Sequence, residues 1–303
     1  MIHEACAVLL RLLQPLVQFY RTTLFSLYVL HFVFSPAATF GNILAIRALW
    51  KASSLPANLR KMFLSLALSD LAVGLFAHLM QAVVFKMALD ENCNLDVFCP
   101  LTLSLCYFIL YALICASFLN ITAIAADRLL AVSLHLRYQE LVTSKRVMIA
   151  LLAIWLVSCV SSSVTVLTAS PYIGAVLVSI GFVLTTVAYI QVYKVARYHR
   201  NQIENQFQQQ NSQETVLLRE RKSALNAVYV YVVFVACYLP YFCFAILVAT
   251  GNRRGSILAA YQVTFFFLLL NSSLNPLVYC WRFPEIRQIT KSTLKSIFRV
   301  PEE

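Results

Sequence analysis

Charge is what this chain has least of. Of its 303 residues only 12% are Asp, Glu, Lys or Arg, where a water-soluble domain carries roughly a quarter. Half that share leaves too little polar surface to face water on every side, which excludes an ordinary soluble fold. The groupings that most catalysis needs are also missing. The nine cysteines show no zinc-type spacing. No glycine-rich phosphate loop and no nucleophile paired with a base is found, so nothing points to an enzyme. There is no internal repeat, which counts against a transporter built from inverted halves.

What the chain has instead is hydrocarbon: 60% of its residues are hydrophobic and the mean hydropathy is +0.74. A helix needs about 20 apolar residues to cross a bilayer, and only a helix or a closed barrel satisfies its backbone hydrogen bonds there. The apolar runs predict seven spans, at 24–50, 58–86, 100–133, 146–168, 171–200, 219–249 and 257–281. The fold class expected is an all-α bundle of seven transmembrane helices, forming one membrane domain over 1–303. A short amphipathic helix is expected at 283–298, with Phe283, Ile286, Ile289, Thr290, Leu294 and Ile297 on one face and Arg287, Lys291 and Lys295 on the other. Such a helix suits the inner leaflet; a frayed basic tail is the plainer reading.

The net charge of +11 is a matter of distribution. Bases gather in alternate connections: Arg47, Lys51, Arg60 and Lys61, then Arg137, Lys145 and Arg146, then Lys194, Arg197, Arg200, Arg219, Arg221 and Lys222. The intervening connections hold Asp90, Glu91 and Asp96, with few bases besides Lys86, Arg253 and Arg254. Basic loops stay cytoplasmic, so the N-terminus is expected outside and the C-terminus inside, with membrane lipid as a partner of the basic loops. No continuous basic face exists for nucleic acid. Residues 1–20 lack the charged start and cleavage site of a signal peptide and read as a short external or interfacial segment. Asn120 and Asn271 begin sequons but fall inside spans, so they should stay unmodified. Residues 201–218, rich in Gln and Asn, read as a polar third cytoplasmic loop.

Ionisable residues inside a span are costly and face a partner or water. Asp70, Asp127 and Arg128 qualify. Around Asp70, at similar depth, stand Asn42, Ser117, Asn271 and Asn275. One carboxylate with hydroxyl and amide oxygens makes either a hard-cation cage or a hydrogen-bond network without an ion. Asp127 and Arg128 close the third span, and Glu220 opens the sixth at the same face. They read either as a lock biasing two packings or as charges reaching out to water. Pro240 and Pro276 bend the sixth and seventh spans, and Asn275 lies beside a carbonyl that Pro276 frees.

Together these residues resemble the signature of the rhodopsin-like (class A) G-protein-coupled receptors. Gly41-Asn42, Leu66-Ala67-Leu68-Ser69-Asp70, Asp127-Arg128-Leu129, Trp155, Tyr189, Phe234 with Cys237-Tyr238-Leu239-Pro240, and Asn275-Pro276-Leu277-Val278-Tyr279 follow the family's order over nearly the whole chain. The resemblance implies a multi-pass plasma-membrane receptor, not an enzyme, that turns an extracellular ligand into opening of the cytoplasmic face. A heterotrimeric G protein, with arrestin as a further partner, would dock there. Arg128 would leave Asp127 and Glu220 and swing toward Tyr189 and Tyr279. The family's allosteric sodium site maps onto Asp70 and Ser117 as metal ligands, with Asn271 and Asn275; no other cofactor is implied.

The departures are specific. Leu129 replaces Tyr, Tyr238 replaces Trp, and Gly181 stands where the fifth helix usually has Pro. Leu103 replaces the third-helix Cys and the connection between spans four and five is very short, so the family's disulfide has no partners. Cys93 and Cys99 are either bridged within the first external loop or free thiols. The short connection, Thr143-Ser144-Lys145-Arg146-Val147, and Tyr189 with Ala196-Arg197-Tyr198-His199 resemble the melanocortin receptors, within a neighbourhood of adenosine, cannabinoid and lysophospholipid receptors. The acids that melanocortin receptors use for peptide and calcium are replaced by Met80, Leu103 and Tyr107. The resemblance places the ligand pocket at Leu110, Tyr111, Ile114, Tyr241, Phe242, Ala245, Phe265 and Leu268. Leu110 stands where amine receptors carry Asp, Ala245 where adenosine receptors carry Asn, and the seventh span has no lysine for retinal. A hydrophobic or lipid-like ligand remains. The aromatic stripe is otherwise plain bundle core. Two rival readings stay open: an ion-coupled transporter using Asp70, and a receptor fold that no longer signals, given Tyr238 and Leu129.

Overall fold

The computed structural model describes residues 16–90, 100–134, 137–168, 172–206, 214–252 and 254–297. Within those helices the side chains of 100–103, 132, 172–178, 196, 199–206 and 214–231 are not described. Seven long helices follow one another: α1 Arg21–Lys51, α2 Ala57–Leu89, α3 Pro100–Leu134, α4 Ser144–Thr168, α5 Tyr172–Gln206, α6 Glu214–Ala249 and α7 Gly255–Arg282. An eighth helix, α8, covers Pro284–Ile297. The loop expected over 201–218 is shorter, because α5 runs on to Gln206 and α6 already starts at Glu214. Cys93 and Cys99 lie outside the described residues, and Glu220 and Leu103 among the side chains not described.

Burial runs inside out relative to a soluble protein. Leu152, Leu156 and Leu277 are each 66% exposed, while Asn42, Asp70 and Asn120 are fully buried. Apolar side chains face outward where lipid replaces water, and polar groups turn inward to find partners. α3 packs against α2, α4 and α5, and α7 against α1, α2 and α6. Trp155 Nε1 donates to Ser65 Oγ at 3.2 Å, joining α4 to α2. Gly41 lets α1 approach the α7 kink, since a Cβ there would lie 3.2 Å from Pro276 Cγ.

Local chemistry sets the ends. α4 starts after Thr143, whose hydroxyl accepts from the Arg146 N–H at 3.4 Å. α6 stops at Gly251, with φ +88°. There the Gly251 N–H donates to Val248 O at 3.1 Å and the Asn252 N–H to Leu247 O at 3.1 Å, the paired closure that a left-handed glycine permits. This tight turn sets the outer ends of α6 and α7 side by side. Pro284 occupies the first position of α8, where its missing N–H costs nothing.

α2 carries a π-helical turn over Val73–His78. Wider turns strain backbone bonding, and Ser35 of α1 donates to the Gly74 carbonyl at 2.8 Å. Four residues on, His31 Nδ1 and His78 Nδ1 are 3.0 Å apart, both rings fully buried, His31 against Phe85 and Phe266 and His78 against Phe266. This pair pins α1 to α2 in the half of the bundle away from Asp127.

α8 buries Ile286 and leaves Arg287, Lys291 and Lys295 exposed. Phe283, Ile289, Thr290 and Leu294 are half-buried, whereas Ile297 is exposed and Thr293 takes the second buried place. Glu285 clips the helix to the turn between α1 and α2. Its carboxylate accepts from Ser53 N at 2.8 Å, Ser53 Oγ at 3.0 Å, Ser54 N at 2.9 Å and the Ser54 hydroxyl. The Ser54 hydroxyl above all, then the two backbone N–H groups, stabilise the anion and bring its pKa down to about 2.

Candidate functional site

The polar centre of the bundle is built on Asp70. Its Oδ1 accepts from Ser117 Oγ at 2.9 Å and its Oδ2 from Asn275 Nδ2 at 2.6 Å. Ser117 Oγ also lies 3.0 Å from Ser69 Oγ. Asn42 donates to Ala38 O at 2.9 Å and to Ser272 O at 3.0 Å, tying α1 to the α7 backbone just before the kink. Four helices therefore meet on one carboxylate and its neighbours. For a hard cation, which takes oxygen ligands, Asp70 and Ser117 fit as they stand. Asn275 presents its amide nitrogen to Asp70 and would have to turn to ligate, and Asn271 Nδ2 is buried without a partner among the described residues. Asn120 donates to Ala116 O at 2.9 Å inside the bundle, and Asn271 is also buried.

At the end of α3 Asp127 is 2% exposed and holds Arg128 through Nε at 3.0 Å and through Nη2. Its second oxygen accepts from the Tyr138 hydroxyl at 2.7 Å. Tyr138 lies on a one-turn helix, Tyr138–Leu141, between α3 and α4. Burial, with the Asp127 bond behind it, pushes its phenol up to about 12, so it remains a donor. No family motif singled out Tyr138; the only signal was a tyrosine one short connection beyond Asp127. Nearby, Tyr189, Tyr279, Asn271, Asn275, Arg282 and Phe234 line a cavity of about 40 Å³ between α2, α3, α5, α6 and α7. The Tyr279 hydroxyl is buried there without a partner among the described residues. Arg128 is held by Asp127 and lines no part of that cavity.

Above the cavity the expected Phe234 and Tyr238 stack at 4.6 Å between ring centroids. Phe118 joins them at 5.7 and 5.3 Å, and Phe182 stacks on Phe234 at 5.8 Å. The absent proline at 181 has a steric reason. A Cβ on Gly181 would lie 2.4 Å from Phe118 Cε1, so Phe118, fully buried, occupies space that only glycine leaves. The exchange links two positions on different helices, and Phe118 by itself is an ordinary apolar residue in the sequence.

Of the expected pocket residues, Leu110, Phe265 and Leu268 are buried, while Tyr111, Ile114, Tyr241, Phe242 and Ala245 keep part of their surface. Tyr241 meets Phe265 at 5.5 Å and Phe242 at 6.0 Å. Tyr261, which sequence reasoning passed over, lies 5.4 Å from the Tyr241 ring. The 40 Å³ cavity lies toward the Asp127 end of the bundle and is not lined by these residues.

Seven long helices around a buried carboxylate, with an acid–arginine pair at one end of the bundle, are the arrangement of a seven-helix membrane receptor. The chain matches the 7 transmembrane receptor (rhodopsin family) over residues 41–172 and 168–279 and belongs to that family, a non-enzymatic receptor family of multi-pass membrane proteins. The two matched segments meet at the short α4–α5 connection. Among curated relatives it is similar to the histamine H2 receptor of Cavia porcellus, 25% identical over 267 residues, covering 79% of this chain and 71% of that one. It is also similar to the melanocortin receptor 4 of Danio rerio, 26% identical over 270 residues, covering 82% and 78%. The histamine H2 receptor of Rattus norvegicus is 27% identical over 266 residues, covering 79% and 71%.

Proposed function

We propose that this receptor sits in the plasma membrane with its N-terminus outside and its C-terminus in the cytoplasm, and answers an apolar or lipid-like ligand in the outer half of the bundle. The response is opening of the inner face, where a heterotrimeric G protein docks and arrestin follows. The observation that carries this reading is the arrangement of Arg128. It is held by Asp127, itself gripped by Tyr138, beside a cavity already lined by Tyr189 and Tyr279. Releasing the guanidinium and moving α6 outward gives it two phenol hydroxyls to meet. The Phe118, Phe182, Phe234 and Tyr238 stack connects that movement to the pocket floor, and Pro240 and Pro276 are the bends about which α6 and α7 turn.

Histamine is an amine, and Leu110 stands where amine receptors carry Asp, so the likeness to the H2 receptors does not extend to their ligand. Likeness to a melanocortin receptor does not extend to its peptide, because Met80, Leu103 and Tyr107 replace the acids. A sodium ion held by Asp70 and Ser117 would supply a positive charge beside the α7 hinge and favour the closed bundle.

The test is basal cyclic AMP in cells expressing wild type and Arg128→Ala at matched surface levels. Wild type should shift the level and the variant should not. Equal signalling from both sinks the proposed role of Arg128.

A further inference from the structure

The cavity beside Tyr279 is rich in hydrogen-bond donors with nothing to receive them. Asn271 and Tyr279, 3% and 2% exposed, both line it, and Asn271 Nδ2 and the Tyr279 hydroxyl are buried without a partner among the described residues. Arg282 lines it too. An arginine at the end of a span ordinarily carries its head out to water, but this one is half-buried at the cavity wall. Its guanidinium lies 5.5 Å from the centre of the Phe283 ring. No carboxylate lines the cavity among the described residues. Asp127 is committed to Arg128 and Tyr138, and Asp70 to Ser117 and Asn275. The formal charge that does act on Arg282 is that of Arg128, which repels it. This part of the interior thus holds a cation with no balancing anion.

A cation is repelled from such a space, and water alone satisfies the amide and the hydroxyl but leaves the guanidinium unbalanced, which is costly away from solvent. A small anion answers all three groups. Size narrows the choice. One water needs about 10 to 15 Å³ of such space, so about 40 Å³ takes an ion a little larger than water and not a bulky organic acid. We propose that a halide ion, chloride in the cell, binds in this cavity between the Arg282 guanidinium, the Tyr279 hydroxyl and Asn271 Nδ2. The rest of the wall, with Ile121, Ile124 and Val278, is apolar and suits an ion that sheds its water readily. Bromide should therefore replace chloride, and strongly hydrated fluoride should not. The site goes beyond the receptor reading and does not depend on it.

Purified receptor in lipid nanodiscs is moved from sodium gluconate into sodium chloride at constant ionic strength, and the unfolding midpoint is followed as chloride rises. Gluconate, too large for the cavity, is the blank. The wild-type midpoint should climb to a plateau with chloride or bromide and stay flat with fluoride. Arg282→Gln should abolish the climb. In gluconate that variant should unfold no earlier than wild type, because it removes a cation that nothing there balances. Tyr279→Phe, which keeps the ring, should weaken chloride about tenfold, as loss of one hydrogen bond to a charged group implies. A midpoint indifferent to chloride means that the cavity holds water only and overturns the proposal. An equal climb in Arg282→Gln overturns it too, since the ion would then bind elsewhere, and so does an unchanged chloride affinity in Tyr279→Phe.

Discussion

Removing the Tyr138 hydroxyl takes away one of the bonds that keep Asp127 in place while leaving the ring. A hydrogen bond to a charged group contributes about 1.5 to 3 kcal/mol, enough to move a closed–open balance about tenfold or more. Tyr138→Phe should therefore raise ligand-independent signalling at equal surface expression; an unchanged basal level would mean the bond does not hold the lock. Gly181→Ala tests the aromatic stack. Its Cβ would sit 2.4 Å from Phe118, and overpacking of this kind costs about 1 to 3 kcal/mol. The variant should unfold at lower temperature, and Phe118→Leu in the same chain should restore most of the loss. If the double variant is no more stable than Gly181→Ala, the pair is not coupled. At this scale the family motifs were readable because each carries a residue type out of place in lipid: Asp70, Asp127, Arg128, Asn275. Phe118 and Tyr138 were not, because nothing in a phenylalanine among apolar neighbours or a loop tyrosine announces its partner. Their meaning lies in distances between helices.

Among elements, the long helices were legible because lipid demands apolar length, and the eighth because apolar and basic positions alternate with helical period. The Glu285 clip was not, since a carboxylate in a first helical turn already suits the helix dipole and gives no hint of Ser53 and Ser54. The clip has a defined acid response. Glu285 is about 2 when docked, below its ordinary value near 4.3. A depressed carboxylate pKa contributes stability that is complete above the ordinary value and is lost as pH falls through the docked one. Docking of α8 should thus be indifferent to pH from neutral down to about 5 and weaken between about 4 and 2. Glu285→Gln should have the weaker docking at every pH. Spin labels at Lys61 and Lys295 read the distance. A pH dependence centred near neutrality would assign the docking to some other group.

Taken whole, the molecule is a polar spine inside an apolar coat, and the parts proposed to move lie along that spine from Tyr238 to Arg128. Sequence exposed the spine but not the outer seam, where His31 meets His78, because two histidines far apart in the chain and each alone in an apolar run carry no sign of one another. The π turn over Val73–His78 is what brings that seam into register, and it has a bearing on how this protein tolerates changes of length. Deleting one residue from an ordinary span rotates everything beyond it by about 100° and breaks the packing. Here a turn already holding one residue more than an α-helix needs can absorb the deletion by relaxing to the regular helix. Removing Leu75, which is 43% exposed, should leave a receptor that inserts and reaches the cell surface, with His78 and Phe85 still facing α1. Normal surface expression with an unfolding temperature close to that of the wild type would mark the turn as a built-in insertion; loss of surface protein would mean that the bundle depends on the extra residue.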